Sequence, residues 1–447
     1  MEYYYLYVII IFRVLFQVQS IQRSTCPIAC ECMNSSNYSV NVLCKSGFWT
    51  YLPPIPKYTT RLKILNGNIS VLASPQNCKQ YHHLQLLSLV SNNIRQISSN
   101  AFKCMPQLSV LKLKGNKLTH ILPQTLSPLM KLEYLWLDNN RITPDVFKEI
   151  GNLDVNFTSF RISGNRMKLT PGVFKWLANN TKQANVDISD NTIVGSVREV
   201  IGPLHQVSIL TMTSCGILSI EKNTFDGFDN LRELTLAKNK LQTITPHAFT
   251  KLSQLHTLSL TGCLHKVNMS LDWHSLPKIV NLIIDANGLT SVPPVVKSVQ
   301  VLNLAQNAIQ SIGPNSFKGL TQLTQINIYS CRLNQIDVET FQGLPNLSKL
   351  FLQSNSLNPR SIANLSYALA NTSITSLNLA DNHIEKPDNN TFANLTPNQI
   401  VRLQLQGCRM RTIGSYTFQN FKYVACGFRN SSICPWSRLT SPRGWCG

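Results

Sequence analysis

The stretch LSVLKLKGNKL, residues 108–118, decides the fold of this 447-residue chain, because its pattern LxxLxLxxNxL recurs about every 24 residues. Further clear copies are LEYLWLDNNRI (132–142), LRELTLAKNKL (231–241) and LSKLFLQSNSL (347–357). In each copy one residue separates the two central leucines, which predicts a short strand with one buried face. A unit of this length cannot bury its apolar face alone. The copies are therefore expected to stack side by side into a solenoid.

The pattern is that of the leucine-rich repeat, and it predicts an α/β solenoid with about 15 repeats, a horseshoe with a parallel concave sheet. The asparagine of the pattern is expected to turn inward and bond to backbone groups that would otherwise be buried without partners. Its position is held by Gly67, Asn92, Asn116, Asn140, Asn165, Asn191, Cys215, Asn239, Cys263, Asn287, Asn307, Cys331, Asn355, Asn382 and Cys408.

Two further features of the repeats predict the core. The cysteines at four of the asparagine positions are expected to be small buried residues with no role as ligands or nucleophiles. A phenylalanine recurs later in many units and should stack into a spine. These are Phe102, Phe225, Phe249, Phe317, Phe341, Phe392 and Phe418. Around residues 156–177 and 359–370 the spacing stretches and the segment that returns to the next strand reads as more helical.

Residues 1–20 are predicted to be a secretory signal peptide, because residues 6–16 form an apolar run broken only by Arg13 and small residues follow at Ser20. The alternative is an uncleaved membrane anchor, since no basic residue precedes the run. No other segment has the length of a membrane span. Twelve Asn-x-Ser/Thr sequons also favour an extracellular chain. They lie at Asn34, Asn37, Asn68, Asn156, Asn179, Asn268, Asn346, Asn364, Asn371, Asn389, Asn394 and Asn430.

Residues 26–60 look like the amino-terminal cap of a leucine-rich-repeat protein, with cysteines at positions 26, 30, 32 and 44. A solenoid end would otherwise expose its apolar core and an unpaired strand edge. The resemblance implies disulfides between Cys26 and Cys32 and between Cys30 and Cys44. Spacing alone leaves other pairings and a zinc site open. A further disulfide is expected between Cys78 and Cys104, in neighbouring early repeats.

The repeats are assigned to residues 61–421, and residues 422–447 form an atypical tail that contains cysteines. The tail lacks the Asn-Pro-Trp-x-Cys pattern of a carboxy-terminal cap, since its Trp436 follows Cys434 and Pro435. We therefore expect that the natural product continues beyond about residue 421 and that the last residues are an alternative end.

The formal net charge of +20 is concentrated at the ends of the chain. Residues 32–132 hold eleven Lys and Arg and no Asp or Glu, whereas residues 133–388 are close to neutral. Basic residues also follow the asparagine in three successive repeats, at Lys117, Arg141 and Arg166, with Lys114 and Lys168 nearby. One strand spacing apart, they would line an edge of the solenoid.

This edge is predicted to attract an anionic ligand, and the alternative is a solvated basic rim that serves solubility. On the concave strands, charges of both signs balance, and aromatic residues such as Trp136 and Tyr134 could anchor a protein or glycan.

Motifs for catalysis are absent from the sequence. It contains no GxSxG, HExxH or GxxxxGK[ST] pattern, and no acidic residue lies near the single adjacent histidine pair, His82 and His83. We predict neither catalytic residues nor a cofactor nor a metal site, so binding is the expected activity.

Taken together, the apolar leader, cap cysteines, phenylalanine-bearing repeats and sequons resemble the ectodomain of a Toll-like receptor over about residues 26–421. The resemblance implies pattern recognition in innate immunity, as a receptor part or a secreted decoy. It also implies an extracellular protein, glycan or polyanionic ligand and a ligand-bridged dimer. Two alternatives stay open: a cell-adhesion or guidance protein, and a matrix protein that binds sulfated glycans.

Overall fold

The structure is a computed structural model that describes residues 26–35, 39–45, 49–122, 124–178, 181–264, 272–395, 400, 402–418 and 424–425. The predicted signal peptide and most of the predicted tail lie outside the described residues, as do the sequons at Asn37, Asn179, Asn268 and Asn430. The chain divides into two compact units, residues 1–217 with 226–231, and residues 218–225 with 232–447.

The first unit is a stack of repeats whose strands form a parallel sheet behind an antiparallel cap hairpin. The core leucines of neighbouring strands are in register, as in Leu87, Leu111 and Leu135, and each is fully buried. The strands of this unit are Cys30–Ser35, Ser39–Lys45, Thr59–Leu65, Leu86–Ser88, Val110–Lys112, Tyr134–Trp136, Phe157–Arg161, Thr181–Asp187 and Val207–Thr211.

The second unit has the same architecture. Its strands form a parallel sheet in which residues at equivalent positions of the repeat pattern are paired. Its strands are Glu233–Thr235, Thr257–Ser259, Asn281–Ile283, Val301–Asn303, Gln325–Asn327, Lys349–Phe351, Ser376–Asn378, Arg402–Gln404 and Val424–Ala425. The predicted leucine-rich-repeat solenoid with a parallel sheet is therefore confirmed.

The return segments carry the remaining elements. Short strands form parallel pairs, namely Val71–Leu72 with Gln96–Ile97, Lys168–Leu169 with Thr192–Ile193, Ser219–Ile220 with Thr243–Ile244, and Ser311–Ile312 with Gln335–Ile336. The helices are Cys78–Tyr81, Val146–Gly151, Val197–Ile201 and Pro359–Ala368, with 3₁₀ turns at Lys175–Ala178 and Trp273–Ser275. No described helix has the length and apolar character needed to cross a bilayer.

The two stretched repeats differ in helical content. The prediction is confirmed for Pro359–Ala368, where the side chain of Asn358 accepts a hydrogen bond from the Ser361 N–H at 3.0 Å and Pro359 starts the first turn. The other stretch, residues 156–177, is mainly strand and turn and gains only the start of a 3₁₀ turn at its end. There Phe157 and Phe160 pack against Trp176, and other buried residues, such as Ile162 and Leu169, lie outside helices and do not form one apolar helix stripe.

Disulfides close the amino-terminal cap in the pairing that the resemblance implies, Cys26 with Cys32 and Cys30 with Cys44. The hairpin strand of Cys44 then pairs in parallel with Thr59–Leu65, so the cap covers the first repeat. Cys78 and Cys104 are also bonded, which links two neighbouring return segments.

Asparagine side chains join successive repeats inside the solenoid. The Oδ1 of Asn116 accepts from the Ile94 N–H at 3.1 Å, and its Nδ2 donates to the carbonyls of Leu89 and Leu113 at 2.8 Å each. Asn140 repeats this arrangement one unit further on, and Asn287 does so in the second unit. The expected inward turn of the asparagine is therefore confirmed, and the amide serves two repeats at once.

A left-handed backbone residue precedes every asparagine position, which the pattern itself did not predict. Its φ lies between 52° and 72° in all fifteen repeats, but glycine is present in only four, as at Gly164. This turn sends the next side chain back under the strand. At Gly164 a Cβ would lie 2.1 Å from Asn139 Oδ1, so a larger residue there would require the Asn139 side chain to move.

The four cysteines at asparagine positions are buried, as predicted. Each Sγ–H donates to a backbone carbonyl, for example Cys331 to Leu304 at 3.3 Å and Cys408 to Leu379 at 3.1 Å. A thiol thus replaces the donor of the asparagine amide but not its acceptor. The phenylalanine spine is confirmed as well, since Phe317 and Phe341 stack with ring centroids 5.6 Å apart.

We predict that Asn140→Ala destabilises the protein by about 3 kcal/mol, because several buried backbone groups lose their partners. Asn140→Cys should lower the free energy of unfolding by roughly half as much, since the thiol still donates one hydrogen bond. Thermal melting monitored by circular dichroism measures both, with the exposed Asn100→Ala as the matched control. Equal melting temperatures for Asn140→Ala and Asn100→Ala would show that the amide ladder contributes little.

The buried cysteines should react with alkylating reagents more slowly than solvent-exposed cysteines do. Burial raises the pKa of Cys215 and Cys263 to about 12 and that of Cys408 to about 11. Only the thiolate reacts with iodoacetamide, so alkylation of these thiols in the native protein should be negligible at pH 8 and rapid in urea. Peptide mapping by mass spectrometry detects the modified residues. Labelling of any of the three at the rate of a free cysteine in native protein would contradict this expectation.

Candidate ligand-binding surface

The basic edge consists of Lys117, Arg141 and Arg166, each directly after the asparagine of its repeat, together with Lys114 and Lys168. At this edge backbone hydrogen bonds connect each repeat to the preceding one. The N–H of Lys117 donates to Ile94 and that of Arg141 donates to Leu118, both at 2.8 Å. The structure therefore places these side chains on successive repeats, where the strands of the sheet end.

All five side chains of the basic edge are exposed. None of them pairs with a carboxylate within the described part of the chain. Arg166 differs locally, because its φ is 57° and its N–H donates forward to Asp190 at 3.2 Å. Lys168 follows two residues later, in the short strand that pairs with Thr192–Ile193. The edge is thus a row of uncompensated cations on a rigid backbone.

Trp136 does not belong to this edge. It is the last residue of strand Tyr134–Trp136, on the exposed face of the sheet, where it is half-buried. Its Nε1 donates to Ser159 Oγ at 3.2 Å, Lys112 Nζ lies 3.5 Å from the ring centroid and Arg161 Cζ lies 5.2 Å from it. The two cations hold the indole by cation–π contacts.

Strand register aligns one row of side chains across the sheet of the first unit. Lys63 pairs with Ser88, and the row continues through Lys112, Trp136, Arg161 and Asp187. Burial of Lys112, with further contributions from Lys63 and Arg161, lowers the pKa of that amine. The sequence pattern did not single out this row. A comparison of the residues that lie between the two strand leucines in successive repeats could have identified this row from the sequence.

Arg161 joins this row to a buried acid. Its Nε lies 3.4 Å from Asp138 Oδ1 and its guanidinium also reaches Asp187 Oδ2 at 3.2 Å. The Asp138 side chain is only 1% exposed and accepts from Ser163 Oγ at 2.7 Å. The acids next to Trp136 are therefore already engaged by Arg161, and Lys63 and Lys112 have no carboxylate partner within the described residues.

Sequon asparagines are distributed unevenly around the repeats. Asn156 directly precedes strand Phe157–Arg161, Asn346 precedes strand Lys349–Phe351, and Asn364 lies in the helix of a return segment. Of the described sequons in the repeats, Asn68 alone holds the frame position of the basic edge, in the first repeat. Asn68, Asn156 and Asn346 are exposed and Asn364 is partly so.

Two comparisons of sequence identify the relatives of this chain. The family model described as leucine rich repeat matches residues 82–142, 186–264 and 277–333. Podocan from Mus musculus is 26% identical over 363 residues, covering 74% of this chain and 57% of podocan. Toll-like receptor 3 from Homo sapiens is 25% identical over 303 residues, covering 64% of this chain but only 31% of the receptor.

A solved structure shares the fold. The crystal structure of a TLR13–ssRNA13 complex superposes with a TM-score of 0.64 at 22% sequence identity, covering 89% of this chain and 60% of that one. The chain is built of leucine-rich repeats and resembles the ectodomain of a Toll-like receptor.

Proposed function

We propose that the chain acts in innate immunity as a pattern-recognition module, either a receptor ectodomain or a secreted decoy, that binds an anionic ligand along the basic edge. The observation that carries this proposal is the row of exposed cations Lys117, Arg141 and Arg166 on successive repeats, none of which pairs with a carboxylate of the described residues. Cations about 5 Å apart per strand match the dense charge of a nucleic acid or a sulfated glycan.

Charge in the surrounding chain supports this proposal. Residues 32–132, which lead up to the edge, contain no acidic side chain. Long-range attraction of a polyanion would therefore meet no local repulsion on that side. The solved neighbour that shares the fold is a complex with an RNA, which agrees with this ligand class although the likeness itself concerns only the fold.

The sequon positions also support the edge as the open surface. Glycans at Asn156 and Asn346 would project before the strands, and one at Asn364 would project from a return segment. Only a glycan at Asn68 would share the frame position of the basic edge. Three strands span about 10 Å, so a longer polyanion would extend beyond one edge and could bridge two copies.

A second candidate is a matrix protein that binds sulfated glycans. The match to podocan, which covers 74% of this chain, favours it. Both candidates use the same cations, and they differ in the preferred polyanion. A matrix protein should prefer heparin to single-stranded RNA of equal charge, and a nucleic-acid sensor should show the opposite preference.

We expect the triple variant Lys117→Ser, Arg141→Ser, Arg166→Ser to bind these polyanions at least tenfold more weakly than the parent chain. The slope of log affinity against log salt should fall by about 2 to 3, because roughly one counterion is released per lost contact. Fluorescence anisotropy with labelled heparin oligosaccharide and labelled RNA, titrated over salt, provides both values.

The matched control is Lys240→Ser, Arg332→Ser, Arg409→Ser, which removes three exposed cations from the same frame position in non-successive repeats. It should leave the affinity nearly unchanged. If both triple variants weaken binding equally, net charge rather than the edge governs the interaction. Unchanged binding in the edge variant would remove the basis of the proposal.

A further inference from the structure

A second surface lies on the sheet face of the first unit, and we call it the cationic face patch. It comprises the half-buried side chains of Leu86, Val110, Tyr134 and Trp136 with the cations Lys63 and Lys112. Register joins Leu86, Val110 and Tyr134 in one row and Lys63, Lys112 and Trp136 in the next. The residues between these rows, such as Leu87 and Leu111, are fully buried, so the patch rows face solvent.

The patch combines apolar surface with unneutralised charge. Leu86, Val110 and Tyr134 are aligned across three neighbouring strands, and half-exposed apolar side chains in such a block favour a partner. Lys63 and Lys112 have no carboxylate partner within the described residues, and the lowered pKa of Lys112 reflects its burial and the proximity of Lys63. An occupant must therefore supply both apolar contact and negative charge.

The surroundings of Trp136 argue against a nucleic acid as that occupant. Base stacking needs an open aromatic face. Here Lys112 Nζ sits 3.5 Å from the ring centroid, Arg161 approaches it as well, and Nε1 is engaged by Ser159. The neighbours Leu86 and Val110 are aliphatic and offer side-chain contact rather than stacking.

A two-fold pairing of this patch with the same patch of a second copy is also disfavoured, because it would bring Lys63 and Lys112 of one copy against the same cations of the other. Charge complementarity instead favours a segment rich in carboxylates. Such a segment in extended conformation places alternate side chains on one side at a spacing similar to that of the patch rows.

We propose that the cationic face patch docks an acidic peptide segment of a partner protein. In this arrangement an aliphatic or aromatic side chain of the segment packs against Leu86, Val110 and the part of Trp136 that stays exposed beside Lys112 and Arg161, and carboxylates on the same side of the segment pair with Lys63 and Lys112. The site differs from the basic edge in position and in chemistry, since it requires apolar contact in addition to charge. Its function does not depend on whether the edge binds a polyanion.

The test uses the full chain, secreted from eukaryotic cells, and fluorescein-labelled peptides followed by anisotropy. In the probe every second residue is serine, and the positions between the serines alternate glutamate with phenylalanine or valine, so that both kinds of side chain lie on one side of an extended segment. One control peptide replaces its apolar residues with serine and another replaces glutamate with glutamine. We expect the probe to bind at least tenfold more tightly than either control peptide. Binding of the glutamate–serine peptide with equal affinity would overturn the proposal, because charge alone would then suffice.

Variants locate the binding. Lys63→Gln should weaken the probe roughly fivefold and Trp136→Ala roughly tenfold or more. Because the Lys63 side chain is exposed, Lys63→Gln should fold normally, and it tests the location of the binding site even if Trp136→Ala does not fold. The matched controls, Lys349→Gln and Phe351→Ala, change the same kinds of residue on a strand of the second unit and should bind normally.

Three results would contradict the proposal. The first is equal loss of binding in the matched controls, and the second is unchanged binding in Lys63→Gln. The third is tighter binding of single-stranded RNA that is lost in the Trp136 variant, which would assign the patch to nucleic acid. The edge variant Lys117→Ser, Arg141→Ser, Arg166→Ser should bind the peptide like the parent chain. Failure of the edge proposal is thereby separable from failure of this one.

Discussion

The asparagine amide that bonds to two repeats is the constraint on which the rest of the structure depends. At Asn140 it receives the Leu118 N–H and donates to the carbonyls of Leu113 and Leu137, so the ends of adjacent strands are held at fixed spacing. These backbone groups are buried and would be costly without partners. Because the amide sits inside, the residues on either side of it are free to vary, and the basic edge occupies one such position.

Most of the fold was predictable because the repeat pattern encodes both the buried face and the turn. The period, the parallel strands, the buried cysteines and the stacked phenylalanines all follow from frame positions. The left-handed residue before each asparagine position did not, because residues as different as Ala286, Lys238 and Asp190 adopt it without glycine. Tertiary bonding imposes this conformation, and single-residue preference is too weak to reveal it.

The binding surfaces were predictable only in part. The basic edge could be read from the sequence because its cations share one frame position in successive repeats. The cationic face patch is formed by residues at two positions of the repeat, which the register of neighbouring strands brings together. The spacing of these residues along the sequence did not indicate that Lys112 covers Trp136. Trp136 was expected to be an aromatic anchor on the concave strands, and the structure places it on the exposed face of the sheet, in a row between Lys112 and Arg161 and apart from the edge cations.

The cationic face patch also shows how a repeat solenoid can hold cations that no carboxylate neutralises within the described residues. Lys63, Lys112 and Arg161 lie in one row, and of these three only Arg161 pairs with carboxylates among the described residues, those of Asp138 and Asp187. The lowered pKa of Lys112 means that its charged form is disfavoured in the folded chain relative to solvent. A carboxylate bound beside Lys63 and Lys112 would reverse that preference. An acidic segment bound there would offset first the desolvation of Lys112 and then its repulsion by Lys63 and Arg161, in addition to covering the apolar row of Leu86, Val110 and Tyr134.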